Sequence, residues 1–437
     1  MTSAWSGALA LVVYFGDVGV SGTLLPYFLS DVLGVGREWV GFLFALQYGC
    51  ATVGLLATGL ASDVFGHRRT LAAVMLLSTA LLNLQGHVRS LAALIAVRAL
   101  CGFFASYGLG LAWVAHVSPP ARLARDMARA VLAAQAAVSG GGLVGGQLSA
   151  HHFWVACAIL SLAPAANALA LLRMREPAAP APSRAAPLRA LRALARTRAF
   201  AASAFSTFLH GCCFGLHMTL PPLLLKEEHA MAEAQVGHVF LVSGLLTLVC
   251  HATLTPLLSR RWPEAGVVGL NVLNGVLLAV VAAFALTSEY VLISLVVISY
   301  AANAVALGCC NFLIVRAAKD SAPEALALAT GVTRGLFTAG QAVLPVLSVA
   351  LHTAVATWLP FVMLAALFAV AAAAVGAATV VAPAQAMAAE APATMLAMSD
   401  KHEVSCTIPE AEHTSTSTSR SMGDDKVKES VRACSLA

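Results

Sequence analysis

Twelve apolar stretches, each about as long as a bilayer crossing, constrain this chain more than any other feature. A hydrocarbon core of ~30 Å, crossed at about 1.5 Å per residue, needs roughly 20 residues. Such runs lie near 7–30, 39–62, 70–86, 91–116, 128–150 and 153–173, and after a break near 200–223, 236–259, 265–287, 290–316, 326–351 and 355–381. The run at 70–86 is short and that at 265–287 carries Asn271 and Asn274, so these two are the weakest. Charged residues make up 11% of the chain against 59% hydrophobic. A water-soluble domain uses roughly a quarter charged residues to cover its surface, so most of this surface faces lipid. Inside lipid the backbone must satisfy its own hydrogen bonds, which makes runs of this length helices. The expectation is an all-α membrane protein of about twelve spanning helices in two six-helix halves. The first run has no Lys or Arg before it and continues across a full span, so it reads as a retained helix, not a leader.

Basic residues orient the crossings, because Lys and Arg collect in cytoplasmic loops. The loops after runs 2, 4, 6, 8 and 10 hold sixteen of them: Arg68, Arg69, Arg122, Arg125, Arg129, Arg173, Arg175, Arg184, Arg189, Arg192, Arg196, Arg198, Arg260, Arg261, Arg316 and Lys319. The opposite loops hold three, Arg37, Arg89 and Lys226. Both termini and the central loop are therefore expected on the cytoplasmic side. The halves read as 1–173 and 200–381. Of the segment 174–199 between them, EPAAPAPSRAAP reads as an extended linker and LRALRALARTRAF, running into the seventh run, as a basic amphipathic helix on an anionic leaflet. The tail 382–437 turns to Ser, Thr, Glu and Lys and reads as disordered. A shift of 196 residues brings Thr23-Leu24-Leu25-Pro26 onto Thr219-Leu220-Pro221-Pro222 and Gly41 onto Gly237. Repeated halves are one way transporters build alternating access around a midplane site.

The loop after the second run reads Gly59-Leu60-Ala61-Ser62-Asp63-Val64-Phe65-Gly66-His67-Arg68-Arg69. It resembles the signature of the major facilitator superfamily: a Gly, an Asp four residues on, a second Gly and a basic pair. Gly59, Asp63, Gly66 and Arg68 match, while Val64 and His67 replace basic residues usual there. In this reading Gly59 lets helices approach closely, Asp63 accepts hydrogen bonds from a neighbouring helix N-terminus, and Gly66 allows a tight turn. Arg98 and Gly102 in the fourth run look like the family's second motif, with Ala105, Ser106 and Gly108 nearby. Ala137, Gly141, Gly142, Gly145 and Gly146 in the fifth are similar to its glycine-rich motif, with Gly142 where Pro is usual. Without the family, glycines spaced by three and four still make a flat face for close packing. The resemblance covers about 7–381 and implies the major facilitator fold, with runs 1, 4, 7 and 10 around a central cavity. Within it the chain looks nearest to the drug:proton antiporter branch, tetracycline-efflux-like and organic-cation-transporter-like proteins included.

An ionisable residue at the bilayer centre costs ~2.5–3.5 kcal/mol on insertion scales, so it usually has a function. Asp17 sits in the middle of the first run, with Tyr14 and Ser21 on its face. Arg98 would face the same space as Asp17. Asp17 is then the candidate site for a proton or a cationic substrate, with Arg98 as its partner; a static packing pair is the alternative. Burial alone favours a neutral carboxyl and a neighbouring guanidinium the charged one, the competition a proton-coupled switch needs. Arg334, with Thr338 and Gln341 on its face, either joins the gate near Asp63 or snorkels to the surface. His210 and His217 in the seventh run are relay or packing histidines. Tyr300, Asn303 and Asn311 in the tenth suit hydrogen bonds to a substrate or to neighbouring helices. Gln47, Gln135 and Gln341 read the same way. Pro26, Pro222 and Pro345 read as pivots.

The cysteines sit mostly in apolar runs and read as packing residues. No Cys/His spacing suits a metal, so neither metal nor cofactor is expected. No basic-aromatic patch calls for nucleic acid. No Walker A loop, HExxH or nucleophile elbow is present, which argues against ATP hydrolysis by that route and against a membrane enzyme. The expected partners are the bilayer, a small-molecule substrate and protons, for a monomeric secondary transporter. A transport-inactive sensor and a facilitative uniporter or symporter of organic anions are the rivals.

Overall fold

The computed structural model describes residues 4–36, 38–148, 150–174, 192–284, 288–321 and 326–378, and no strand occurs among the described residues. The helices are α1 (Ala4–Tyr27), α2 (Glu38–Phe65), α3 (His67–His87), a broken fourth in two pieces, α4a (Leu91–Phe103) and α4b (Tyr107–Val117), α5 (Pro120–Gln147) and α6 (Phe153–Arg173). They continue as α7 (Arg198–Glu227), α8 (Glu233–Arg261), α9 (Pro263–Phe284), α10 (Glu289–Ser321), α11 (Leu326–Ala354) and α12 (Leu359–Ala378). Each expected run is therefore a helix. Ten stretches are long and apolar enough to cross a membrane by length and composition. The other two helices, α3 and α5, open with the basic residues His67, Arg68 and Arg69 or Arg122, Arg125 and Arg129. In α5 the glycines dilute hydropathy further. The ninth run passes at a mean hydropathy of 2.3, because Asn271 and Asn274 turn fully inward.

Residues Met1–Ala382 form one compact unit. Within it the packing pattern of the first six helices recurs in the last six. α1 lies on α5 as α7 lies on α11, α2 on α4a as α8 on α10, and α3 on α6. Gly275 of α9 faces α12 in the place where α3 meets α6. Two seams join the halves, α2 with α11 and α5 with α8. The Gly41/Gly237 echo falls on these seams: a Cβ at Gly41 would run into the Pro345 carbonyl of α11, and one at Gly237 into Gly146 of α5. The repeat thus marks where backbones of opposite halves touch, a contact only glycine permits.

Local breaks have local causes. Pro26 removes a backbone donor near the end of α1, and the helix widens into a π-turn over Phe28–Val32. The fourth helix breaks at 104–106, where Gly102 presses on the Gln47 backbone and Ser106 Oγ donates to the Ala10 carbonyl at 2.8 Å. Of the expected linker and amphipathic helix, residues 175–191 lie outside the described residues. The described part forms one turn at 192–195, and Leu194 packs on Phe200, Ile314 and Ala329 of the protein itself. The expected tail, 382–437, also lies outside the described residues.

Candidate functional site

The two isolated ionisable residues of the first half meet. Asp17 of α1 is 4% exposed and Arg98 of α4a is fully buried, with Arg98 Nη1 3.5 Å from Asp17 Oδ2. Three neutral donors complete the carboxylate's surroundings: Gln47 Nε2 of α2 at 3.0 Å, Gln85 Nε2 of α3 at 3.2 Å and Ser21 Oγ at 3.3 Å. Arg98 Nη1 also donates to Gln47 Oε1 at 2.7 Å, and its guanidinium lies over the Phe44 ring at 5.6 Å. Its Nε and Nη2 are buried without hydrogen-bond partners. Four helices thus converge on one charge pair. Sequence reasoning found the pair and passed over Gln85, because a neutral amide in an apolar run gives no signal of its partner 68 positions away. Tyr14 does not bond Asp17: its hydroxyl is buried and unpartnered, and its ring packs on Tyr107 at 4.9 Å.

A cavity lies between the halves, with about 610 Å³ of non-atom space that includes open solvent. Phe15, Tyr107, Phe214 and Phe337 wall it with aromatic rings, and Gln135, Tyr300, Asn303 and Arg334 give it polar groups. Asp17 and Arg98 were expected to face the central space, yet neither lines this cavity. They sit behind Tyr14, whose neighbour Tyr107 does line it. Arg334 lines the cavity and is half-buried, and the Tyr107 hydroxyl donates to its carbonyl at 3.5 Å. A smaller space of about 370 Å³ lies beyond Tyr300, between α7, α8 and α10, with His217 on its wall.

His210 belongs to a neutral cluster in the second half. Its Nδ1 donates to Asn303 Oδ1 at 2.7 Å, and Ser206 lies 3.4 Å from its Nε2. Asn271 Nδ2 donates to Ser206 Oγ at 3.0 Å, and Asn303 Nδ2 returns to the His210 carbonyl at 3.3 Å. His217 Nδ1 donates to the Cys213 carbonyl of its own helix at 2.7 Å.

The loop after α2 lies partly within the described residues. Gly66 has φ +89° at the start of α3, the left-handed backbone its tight-turn role required. Arg68 donates to the Met174 carbonyl at the end of α6, and His67 Nδ1 pairs with Ser62 Oγ. Arg69 is exposed. Among the described residues a Cβ at Gly59 would meet nothing within 4 Å, whereas Gly54 and Gly102 press on Phe103 and Gln47. The side chain of Asp63 lies outside the described residues. The α5 glycines divide by face: Gly141 and Gly145 press on Gly16, Val20 and Thr23 of α1, Gly142 and Gly146 on Phe240 and Gly237 of α8.

The face opposite the start of α1 is tied shut between the halves. Lys226 Nζ lies 3.1 Å from Asp31 Oδ1 and 4.3 Å from the centre of the Tyr27 ring. The Tyr27 hydroxyl donates to the Met231 carbonyl at 2.8 Å, and the Ala150 N–H to Glu233 Oε1 at 3.1 Å. The large cavity lies towards the other face, reaching Leu111, Leu307 and Asn311.

The sequence model of the Major Facilitator Superfamily matches residues 7–288. No curated protein matches the chain. Among solved structures, the human organic anion transporter MFSD10 (TETRAN) is 19% identical at a TM-score of 0.64, covering 86% of this chain and 99% of that one. A bacterial homolog of the human lysosomal transporter Spinster, solved inward-facing and unoccupied, is 14% identical at a TM-score of 0.68, covering 86% and 96%. The nucleoside transporter NupG is 17% identical at 0.63, covering 87% and 99%. At these identities the likeness is one of fold.

Proposed function

The chain belongs to the Major Facilitator Superfamily and is a multi-pass membrane transporter; on that premise we propose that it is a proton-coupled secondary transporter of small organic solutes, working by alternating access with Asp17 as the proton site. The observation that carries the reading is the Asp17–Arg98 pair, buried among four helices with only part of its hydrogen-bonding capacity used. The carboxylate is held by one guanidinium and neutral donors, so any movement of the helices that carry them changes its surroundings. The donors come from α2, α3 and α4a. The break after α4a and the Tyr14–Tyr107 contact connect their positions to the cavity. Solute entering beside Tyr107 would then shift the helices that hold the proton site. With the termini cytoplasmic, the closed Lys226–Asp31 face is the outer one and the cavity faces inward. The family is one of transporters, and the role of Asp17 here is binding, not catalysis.

The test is reconstitution in liposomes with an imposed pH gradient, following organic anions and cations with wild type beside Asp17→Asn. Gradient-driven flux in wild type and passive, gradient-independent flux in Asp17→Asn is the expected result. Gradient-driven flux that survives Asp17→Asn would remove Asp17 from the proton path.

A further inference from the structure

We propose that the central cavity takes an organic anion with an aromatic-sized apolar body, and that Arg334 is the cation that anchors it. This rests on the reading of the cavity as the solute path. Among the described residues lining the cavity, Arg334 alone carries a full charge and none is acidic. No carboxylate pairs with Arg334 among the described residues, and its Nε is buried without a hydrogen-bond partner. Arg334 is half-buried on the cavity wall, and with no counter-ion its guanidinium has charge-assisted hydrogen bonds left for a ligand anion to accept. The planar fork of arginine suits a carboxylate or sulfonate, which it holds by two parallel hydrogen bonds.

Two more polar atoms on the same walls are buried and unpartnered, the Tyr300 hydroxyl and Gln135 Oε1. Tyr300 can donate to an anion, while the Gln135 oxygen only accepts and suits a hydroxyl or amide N–H elsewhere on the solute. The rest of the wall is aromatic: Phe214 lies 5.9 Å from Phe337, 5.7 Å from Tyr300 and 6.5 Å from Phe15 between ring centres. Walls of this kind suit a ring-bearing solute. A cation finds no carboxylate among the described residues lining this cavity: Asp17 does not line it, and both its oxygens already accept hydrogen bonds.

The experiment is equilibrium binding of four probes of one shape to the purified full chain: 2-naphthoate, naphthalene-2-sulfonate, 2-naphthamide and 2-naphthylmethylammonium. Wild type should bind the two anions at least about tenfold more tightly than the amide or the ammonium, one charge-assisted pair against none. Arg334→Gln should lose about 30-fold or more for the anions and bring the anion-to-amide ratio near one. Arg334→Lys should keep the preference at reduced affinity, and Arg334→Glu should turn it towards the ammonium. The ratio reads charge, which a merely structural role would leave unmoved, and the Lys and Glu variants read it should the Gln variant not fold. A preference for the ammonium in wild type, an unchanged ratio in Arg334→Gln, or no binding of either anion would each overturn the proposal. Liposome flux separates it from the transport reading. Arg334-dependent anion binding without flux sustains the anion site and retires transport. Ammonium flux untouched by Arg334→Gln retires the anion site and leaves transport standing.

Discussion

The two halves repeat each other in packing and differ in what they bury. In the first half a carboxylate and a guanidinium sit at the crossing of α1, α2, α3 and α4a, with two guanidinium nitrogens unsatisfied. In the second half the corresponding interior holds Ser206, His210, Asn271 and Asn303, neutral groups that donate and accept among themselves. The 196-residue shift sets Asp17 against Cys213, a small packing residue that is fully buried. One scaffold therefore carries an ion pair in one half and a network of side-chain hydrogen bonds in the other. A buried ion pair is weak evidence for stability, because desolvation offsets most of its attraction. Among the described residues such a pair occurs in one half of the repeated scaffold, which fits the use proposed for Asp17.

The largest expected effect comes from splitting the charged centre. Asp17→Leu leaves Arg98 buried and alone, and Arg98→Met leaves Asp17 with neutral donors only. Each should cost about 3–5 kcal/mol of stability, as other broken buried pairs do. The double variant, Asp17→Leu with Arg98→Met, should recover most of the loss. Thermal melts of the three in one detergent read this directly. A double variant as unstable as either single one would mean the pair is structural, and the contrast between the halves would lose its charged side.

The neutral centre should respond less. His210→Leu strands Asn303 Oδ1, a buried acceptor, at a cost of about 1–3 kcal/mol. Adding Asn303→Leu removes the stranded group and should restore part of it. Because neither group carries charge in this reading, gradient-driven flux should fall in proportion to folded protein and keep its pH dependence. A shifted pH profile in His210→Leu would move proton coupling into the second half and reverse the comparison.

How much of this was legible in the sequence depends on whether a feature is local. Twelve crossings could be read because each needs its own contiguous apolar run. The Asp17–Arg98 pair could be read because ions in lipid are few and must find each other. Helix rotation about its axis is another matter. Which wall Arg334 occupies depends on the orientation of α11 against α2 and α7, fixed by Gly41, Gly211, Gly215 and Gly340 together, so its place on the cavity wall could not be read from the sequence. The amide donors Gln47 and Gln85 belong to the same class, since their partners lie 30 and 68 positions away. Gly59 shows the reverse: its motif implied a close contact, and among the described residues Gly54, five residues earlier and not singled out, makes one.

The smallest effect sharpens the comparison furthest, because it concerns the same chemistry in water. Lys226 and Asp31 lie 3.1 Å apart, closer than Asp17 and Arg98, yet their side chains are 20% and 46% exposed. Solvent screens such a pair and ordering two side chains offsets its attraction, so Lys226→Ala should cost only about 0–1 kcal/mol. The screening length falls from about 30 Å at 0.01 M salt to about 3 Å at 1 M, so the difference from wild type should shrink over that range. The loss from Asp17→Leu should hold steady over it, because no ion reaches a pair buried among four helices. Melts of both variants across the salt series compare one interaction in two environments. A salt-sensitive Asp17→Leu would mean that water and ions enter the first half, and the centre would then be an open site rather than a sealed one.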